Sequence, residues 1–477
     1  MGGSLSMPIL TKVSGALREA GVEFCTDAKS LFSASLDHAR YSFLPDIVAY
    51  ANGPDDVSQV LKIANRFGTP VSVRGSGTGC AGGCVPTTGG IVLDLHRINF
   101  IEIDPLSRIA HVGAGAITAD VDKAAWAHGL FYAPDPSSHK YSSIGGNIAC
   151  NAGGLRALKY GCTRENLAAL SVCLPNGETV KCGLPLRKFS AGPNLRDLFV
   201  GSEGTLGVVT EAWLRLLPLP KARRAAISFF NGDDEGFKGV EKILLSEITP
   251  CVLEFMDSET LECVRRRNPQ LQIAPGKSAL LAEFDGTESE AEEGARRFVE
   301  ILSDYGARMA KSEKEAEEFW QVRRKSSQAM YELGDSKVNQ DIVLPFREVC
   351  GFFKFFKGLG RELNLATPVF GHAGDGNYHI HFMYYAAEKN ARERALAGME
   401  KAIFKTIELG GAVSGEHGIG FLKSKYMPAQ HSDCELSLMK EIKKLFDPKN
   451  ILNPGKIYSV SDISGLQPLR GVKLPWD

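Results

Sequence analysis

Arg74-Gly-Ser-Gly-Thr-Gly-Cys-Ala-Gly-Gly83, directly after the strand-like Pro70-Val-Ser-Val73, sets the architecture of the amino-terminal half. Gly77, Gly79 and Gly82 spell GxGxxG, the pattern of a dinucleotide-binding turn. That pattern serves a Rossmann unit only where the glycines open a helix whose N-terminus faces the pyrophosphate. Here they run into Cys84-Val-Pro-Thr-Thr-Gly-Gly90 and a second strand, Ile91-Val-Leu-Asp-Leu95. The helix stands before the strand instead: Val57, Val60, Leu61 and Ala64 share one side of Val57–Phe67, and Gly68 stops it. A strand–loop–strand unit can still seat a phosphate, because successive backbone N–H groups form an anion nest. Arg74 would add a charge-assisted contact.

Further along the chain lie two more glycine-rich stretches, Ser142-Ser-Ile-Gly-Gly-Asn147-Ile-Ala-Cys-Asn151-Ala-Gly-Gly154 and Gly201-Ser-Glu-Gly-Thr-Leu-Gly207-Val-Val-Thr210. Three such stretches among short β segments point to backbone lining one extended ligand, since glycine permits close approach. The whole chain has 477 residues, too many for one core, so at least two domains are expected. Hydrophobic residues make up 44% and charged ones 23%, with a net charge of −1. No basic excess drives nucleic-acid binding, and no apolar run reaches the ~18 residues of a membrane span. The eleven cysteines are scattered, without CxxC, so neither a disulfide framework nor an iron–sulfur ligand set is indicated. A cytoplasmic location, or a peripheral one at the inner face of a membrane, is expected.

Chemistry-bearing residues concentrate in the carboxyl-terminal half. Residues 371–381 read Gly-His-Ala-Gly-Asp-Gly-Asn-Tyr-His-Ile-His, and 414–418 read Ser-Gly-Glu-His-Gly. Asp375-Gly376 signals a type I′ hairpin turn. A two-residue turn there pairs His372 with His379 and leaves His381 on the same face. Two imidazoles, with Glu416 arriving from a separate glycine loop, suit a divalent metal. Beyond the Pro218-Leu-Pro220 boundary, strand and helix patterns alternate over 226–230, 235–246, 252–255, 279–284 and from Glu288. Trp320-Gln-Val-Arg323 lies in a helical stretch, and the Arg323 fork matches a substrate carboxylate. Ser327 follows one turn later; Lys337 is a further candidate.

Arg74-Gly-Ser-Gly-Thr, Pro134-Asp-Pro136, Ile144-Gly-Gly-Asn147…Asn151-Ala-Gly-Gly154, Tyr160-Gly161 and Gly201–Gly207 resemble the FAD domain of the vanillyl-alcohol-oxidase superfamily. With the carboxyl-terminal motifs, the chain resembles more narrowly the FAD-linked D-2-hydroxyacid dehydrogenases. These include D-lactate dehydrogenases, the FAD subunit of glycolate oxidase and D-2-hydroxyglutarate dehydrogenases.

The resemblance implies an α+β fold: a two-part FAD-binding domain of the vanillyl-alcohol-oxidase type with a ferredoxin-like α+β cap for substrate. The expected divisions are an N-terminal helical segment (1–44), FAD domain (45–220), cap (221–425), a segment returning to the FAD domain (426–458) and an irregular tail (459–477). Arg74, Gly75, Ser76, Gly77, Thr78 and Gly79 would hold the pyrophosphate. Pro134, Asp135, Ser142, Gly145, Gly146, Asn151, Gly153, Gly154, Tyr160, Gly204, Gly207, Val209 and Asn453 would line the rest of the cofactor. Thr78 stands where covalent relatives have a flavin-linked histidine, which implies non-covalent FAD.

By the same resemblance, His372, His379 and Glu416 would hold Zn²⁺ or Mn²⁺, and His417 would be the general base. Arg323, Ser327, Lys337 and His381 would face substrate. His381 replaces an asparagine of the 2-hydroxyglutarate branch, which favours glycolate or D-lactate. The implied reaction is FAD-dependent oxidation of a small D-2-hydroxyacid to the 2-oxoacid. Its electrons would pass to a separate acceptor: a quinone, a cytochrome, an electron-transfer flavoprotein or an iron–sulfur subunit. The alternatives are D-2-hydroxyglutarate oxidation, or a non-catalytic flavin subunit of a respiratory complex.

Overall fold

Pro54 in the first turn and Gly68 in the left-handed region (φ 62°) bound the helix Pro54–Phe67, as their stereochemistry dictates. Its apolar side, Val57, Val60, Leu61 and Ala64, is buried in a core with Ile47, Ile91 and Leu93. The computed structural model describes residues 4–271, 273–460, 465–469 and 471–476. The chain forms two compact units. One comprises residues 1–153, 161–219 and 416–477; the other 154–160 and 220–415.

The first unit contains a four-stranded sheet in the order Glu23–Cys25, Ile47–Tyr50, Ile91–Asp94, Val71–Arg74. The last three are parallel. No helix separates Val71–Arg74 from Ile91–Asp94; the glycine loop alone joins them, so the Rossmann reading is excluded by topology. A five-stranded antiparallel sheet follows, in the order Ile101–Asp104, Ile109–Gly113, Val208–Arg215, Leu167–Cys173, Thr179–Gly183. The first 44 residues do not stand apart from this unit, because Glu23–Cys25 pairs with Ile47–Tyr50. The return begins at Glu416, ten residues ahead of the expected 426. At its end the Val71 amide donates to the Ile451 carbonyl (2.7 Å), and the Asn453 amide to that of Val71 (2.8 Å).

The second unit is built on one seven-stranded sheet. Its strands are β1 (Ala222–Phe230), β2 (Val252–Met256), β3 (Ser278–Gly286), β4 (Arg308–Met309), β5 (Ser336–Val343), β6 (Val369–His372) and β7 (Asn377–Tyr384). The order is β4-β1-β3-β2-β6-β7-β5, with every pair antiparallel. The first four strands follow the ferredoxin-like order expected of the cap, and β6, β7 and β5 extend the sheet beyond β2. Helices Ser258–Arg267 and Glu313–Ala329 pack through Leu261, Val264, Phe319 and Val322 on the face that carries Ile227, Met256, Leu281 and Phe370. Glu254 and His372, two residues from Met256 and Phe370, share that face by the twofold period of strands.

Candidate active site

A cavity of about 330 Å³ lies within the first unit and is the candidate cofactor site. Gly75, Ser76, Gly77, Thr78 and Gly79 line it, as do Gly145, Gly146, Gly204, Gly207 and Val209. These residues suit a closely held cofactor, and at some of them the packing leaves no room for a Cβ. One added at Gly145 would lie 2.8 Å from Ala114 Cβ, and one at Gly77 would collide with the Arg74 guanidinium.

Several expected cofactor residues turn elsewhere. Arg74 runs beneath the loop, where its Nη1 donates to the Leu36 carbonyl (2.9 Å) and meets Cys84 Sγ (3.4 Å). It braces the loop and does not line the cavity. Ser142 points into the interior, its hydroxyl 3.0 Å from Thr118 Oγ1, while the next residue, Ser143, lines the cavity and caps helix Ile144–Cys150 through the Gly146 amide. Pro136, Ser137, Ser138 and Tyr141 line the wall in place of Pro134 and Asp135. Asn151 is the left-handed C-cap of that helix (φ 52°), and its Oδ1 accepts from the Arg164 amide (3.0 Å). Gly153 lies beside Cys162 and Glu416, where an added Cβ would approach to 3.3 and 3.5 Å. Gly154 and Tyr160 belong to the second unit, where the Tyr160 hydroxyl donates to Asp285 Oδ1 (2.8 Å). Asn453 is a buried clamp: its Oδ1 accepts from the Val73 amide (3.3 Å) and its amide donates to the Glu203 carbonyl.

The sequence reading missed Cys80, Cys84, Cys150, Glu203 and Trp476, all of which line the cavity. Trp476 is held there through its indole, which donates to His38 Nδ1 (3.1 Å). A more telling miss is Glu203. Its buried carboxylate accepts the amides of Ile419 (2.6 Å) and Gly420 (2.8 Å), holding the turn that follows His417. Burial pushes its carboxyl up, against those two hydrogen bonds. Glu416 and His417 both line the cavity, with His417 Nε2 4.0 Å from Glu416 Oε1.

In the second unit the histidine hairpin closes differently from the expectation. His372 pairs with Asn377, and His379 with Phe370. Only Gly376 of the loop has positive φ (76°), whereas a type I′ turn needs two such residues. The Asp375 amide reaches back to the His372 carbonyl (3.3 Å), and Asp375 Oδ1 takes the Asn377 amide (3.2 Å), so a four-residue loop forms. His372 and His379 remain diagonal neighbours on one face, their rings 5.4 Å apart at 84°.

Glu254, fully buried in β2 and directly opposite His372 in the ladder, accepts from His372 Nδ1 and from Arg323 Nε. Burial alone would raise its carboxyl; the adjoining Arg323 and His372 outweigh that and hold it at about 2. Arg323 is 13% exposed and its guanidinium lies 4.5 Å from the Phe370 ring centroid. His381 is buried, stacks on Phe370 (5.2 Å, 29°) and has Nδ1 3.1 Å from the Pro368 carbonyl. Burial drives its basicity well down, aided by Lys337. Lys337 is half-buried over the Tyr331 ring (5.6 Å). Ser327 is exposed; the buried serine of that turn is Ser326, bonded to the Val322 carbonyl (3.1 Å). The Gly415 amide donates to Asp341 Oδ2 (2.7 Å), fixing the residue that immediately precedes Glu416.

These features define a flavin-binding domain of the p-cresol-methylhydroxylase type joined to an α+β second unit. Residues 45–183 match the family described as FAD binding domain, and residues 219–457 match FAD linked oxidases, C-terminal domain. The chain belongs to the FAD-linked oxidase family. It is 37% identical to the glycolate oxidase subunit GlcD of Bacillus subtilis, over 88% of this chain and 90% of that one. It is 34% identical to the D-lactate dehydrogenase of Anaerostipes hadrus, over 87% and 89%. Among solved structures, p-cresol methylhydroxylase with substrate bound superposes with a TM-score of 0.79 at 15% identity, covering 95% of this chain and 98% of that one. That likeness speaks to the fold alone. No helix among the described residues is long and apolar enough to cross a membrane.

Proposed function

We propose that this FAD-linked oxidoreductase oxidises a small D-2-hydroxyacid, glycolate or D-lactate, to the 2-oxoacid. The observation that carries the reading is that His417, a proton acceptor, lines the same cavity as the glycine cradle for FAD. Bound FAD supplies the hydride acceptor, non-covalently in view of Thr78. His417 takes the proton of the 2-hydroxyl, a task suited to an imidazole near neutral pH. Arg323 binds the substrate carboxylate through its Nη groups, which the Nε bond to Glu254 leaves available.

His372, His379 and Glu416 would hold a divalent cation such as Zn²⁺ or Mn²⁺, which would supply Lewis acidity at the hydroxyl. The donor set fits. Glu254 takes the Nδ1 side of His372, which leaves Nε2 as the ligating nitrogen, and Asp341 pins the chain one residue before Glu416. His381, which stands where the 2-hydroxyglutarate branch carries a carboxylate-binding asparagine, favours short substrates over dicarboxylates. The electrons then leave to a separate acceptor: a quinone, a cytochrome, an electron-transfer flavoprotein or an iron–sulfur subunit.

The test is anaerobic bleaching of the flavin by glycolate, D-lactate, L-lactate and D-2-hydroxyglutarate, in wild type and His417→Ala. Glycolate or D-lactate should bleach the wild type rapidly, while H417A keeps its flavin and stays yellow. Fast bleaching of H417A would remove that histidine from the reaction.

A further inference from the structure

We propose that Glu254 is the positioning residue of the substrate site, a single buried carboxylate that orients the guanidinium of Arg323 and the ligating imidazole of His372 together. This rests on the reading above of Arg323 as the carboxylate-binding group and His372 as a metal ligand.

Val252-Leu-Glu-Phe-Met256 is an apolar strand with one carboxylate at its centre, and every residue in it is buried. A carboxylate at such a place persists only when its charge is paired and its lone pairs are used. Glu254 uses them on two different side chains: Oε1 meets His372 Nδ1, and Oε2 meets Arg323 Nε.

Each contact fixes the orientation of its partner. Donation from Nδ1 places the lone pair of His372 on Nε2. Donation from Nε leaves the Arg323 Nη pair, the end of the fork that a carboxylate takes bidentately. The Arg323 guanidinium carbon also lies 4.5 Å from the Phe370 ring centroid, and the His381 ring stacks on Phe370 at 5.2 Å. The aromatic contact confines the guanidinium, and the Nε bond to Glu254 fixes which edge faces inward.

Glutamine at 254 separates this role from simple space-filling. Glutamate presents acceptors to two donors, whereas glutamine presents one acceptor and one donor. The guanidinium cannot give up its proton, so the amide oxygen stays with Arg323 and the NH₂ turns to His372 Nδ1. That nitrogen must then accept, which moves the imidazole proton to Nε2, the atom needed for the metal.

The experiment uses the full-length flavoprotein, stripped with chelator and titrated with Mn²⁺, as wild type, Glu254→Gln and Glu254→Asp. FAD per chain and the visible flavin spectrum report folding. The expected result is a 10–100-fold weaker Mn²⁺ affinity in E254Q at unchanged FAD content, with KM for the hydroxyacid raised. E254D should fall between the two, since it keeps the charge and both acceptors. Wild-type Mn²⁺ affinity and KM in folded E254Q would overturn the role of Glu254. Should E254Q lose its flavin, the same wild-type values in E254D would do so. A wild type that takes up no stoichiometric Mn²⁺ would overturn the metal reading beneath it, a distinct failure.

Discussion

Replacing Glu203 with glutamine isolates the device that holds His417 in place. The carboxylate receives two amides, Ile419 at 2.6 Å and Gly420 at 2.8 Å, and lies flat against the turn: a Cβ added at Gly418 would lie 3.0 Å from Oε1. Gly418 and Gly420 both have positive φ (77° and 51°), so this backbone is held in a conformation that few other residues adopt. Glutamine can satisfy only one amide, and its own NH₂ must face the other. Losing one charge-assisted hydrogen bond costs about 1.5–3 kcal/mol, and a buried unpaired donor about 1–3 kcal/mol more. Relief of the desolvation that raises the Glu203 carboxyl returns part of this, leaving a net loss of about 2–4 kcal/mol. The melting temperature should fall by roughly 3–7 °C. Anaerobic flavin reduction by glycolate should slow at least about tenfold, because a loosened turn misplaces the imidazole. FAD per chain should hold, since the loop at 75–79 is untouched. Stopped-flow absorbance with a thermal melt decides it. E203Q that reduces at the wild-type rate with an unchanged melt would show that the carboxylate does not hold the turn.

Three further outcomes are expected. Asp37 is buried and accepts the amides of Ala39 and Gly82 at 2.9 and 2.8 Å; burial nevertheless pushes it up to about 6. A carboxyl raised in the folded state contributes stability below its unfolded value near 4 and loses it as pH climbs to about 6, by about 3 kcal/mol. The melting temperature of Asp37→Asn relative to wild type should therefore rise between pH 4 and 6 and level off above pH 7; a flat difference would contradict the assignment. Arg323→Lys keeps the charge but loses the planar fork, so KM for the hydroxyacid should rise by about 10–100-fold with a smaller change in kcat; steady-state kinetics with an artificial dye acceptor measure both. Acid precipitation should release all the flavin into the supernatant, because Thr78 offers no linking imidazole; yellow colour retained in the pellet would indicate a covalent bond.

How far the sequence reaches is clearest at particular residues. The glycine loop, its refusal to open a helix and the alternation of strands and helices were legible because turn stereochemistry and periodicity are local properties, whereas the ferredoxin-like cap was implied only by the family resemblance. The histidine pair was legible as a cluster, but its register was not. A dipeptide signal could not reveal that Asp375 would fold back on His372 and lengthen the loop to four residues. Ser142 is implied by the resemblance, but Ser143 is the residue that lines the cavity, since its hydroxyl caps the helix that follows, a placement no spacing announces. Glu254 left a faint signal, a carboxylate inside Val-Leu-x-Phe-Met, but its two partners lie 69 and 118 residues away. Glu203 and Asn453 act over comparable separations, across 216 and 250 residues.

By itself, the order of residues determined which groups this protein carries: a glycine cradle, an imidazole pair, a glutamate–histidine dipeptide and an arginine on a helix. Those are written in spacing of a few residues, where sterics and periodicity act. Only the tertiary structure decided which nitrogen of His372 and which edge of Arg323 face Glu254. Orientation of that kind is imposed by a buried carboxylate from a distant strand, and burial depends on how the whole chain packs.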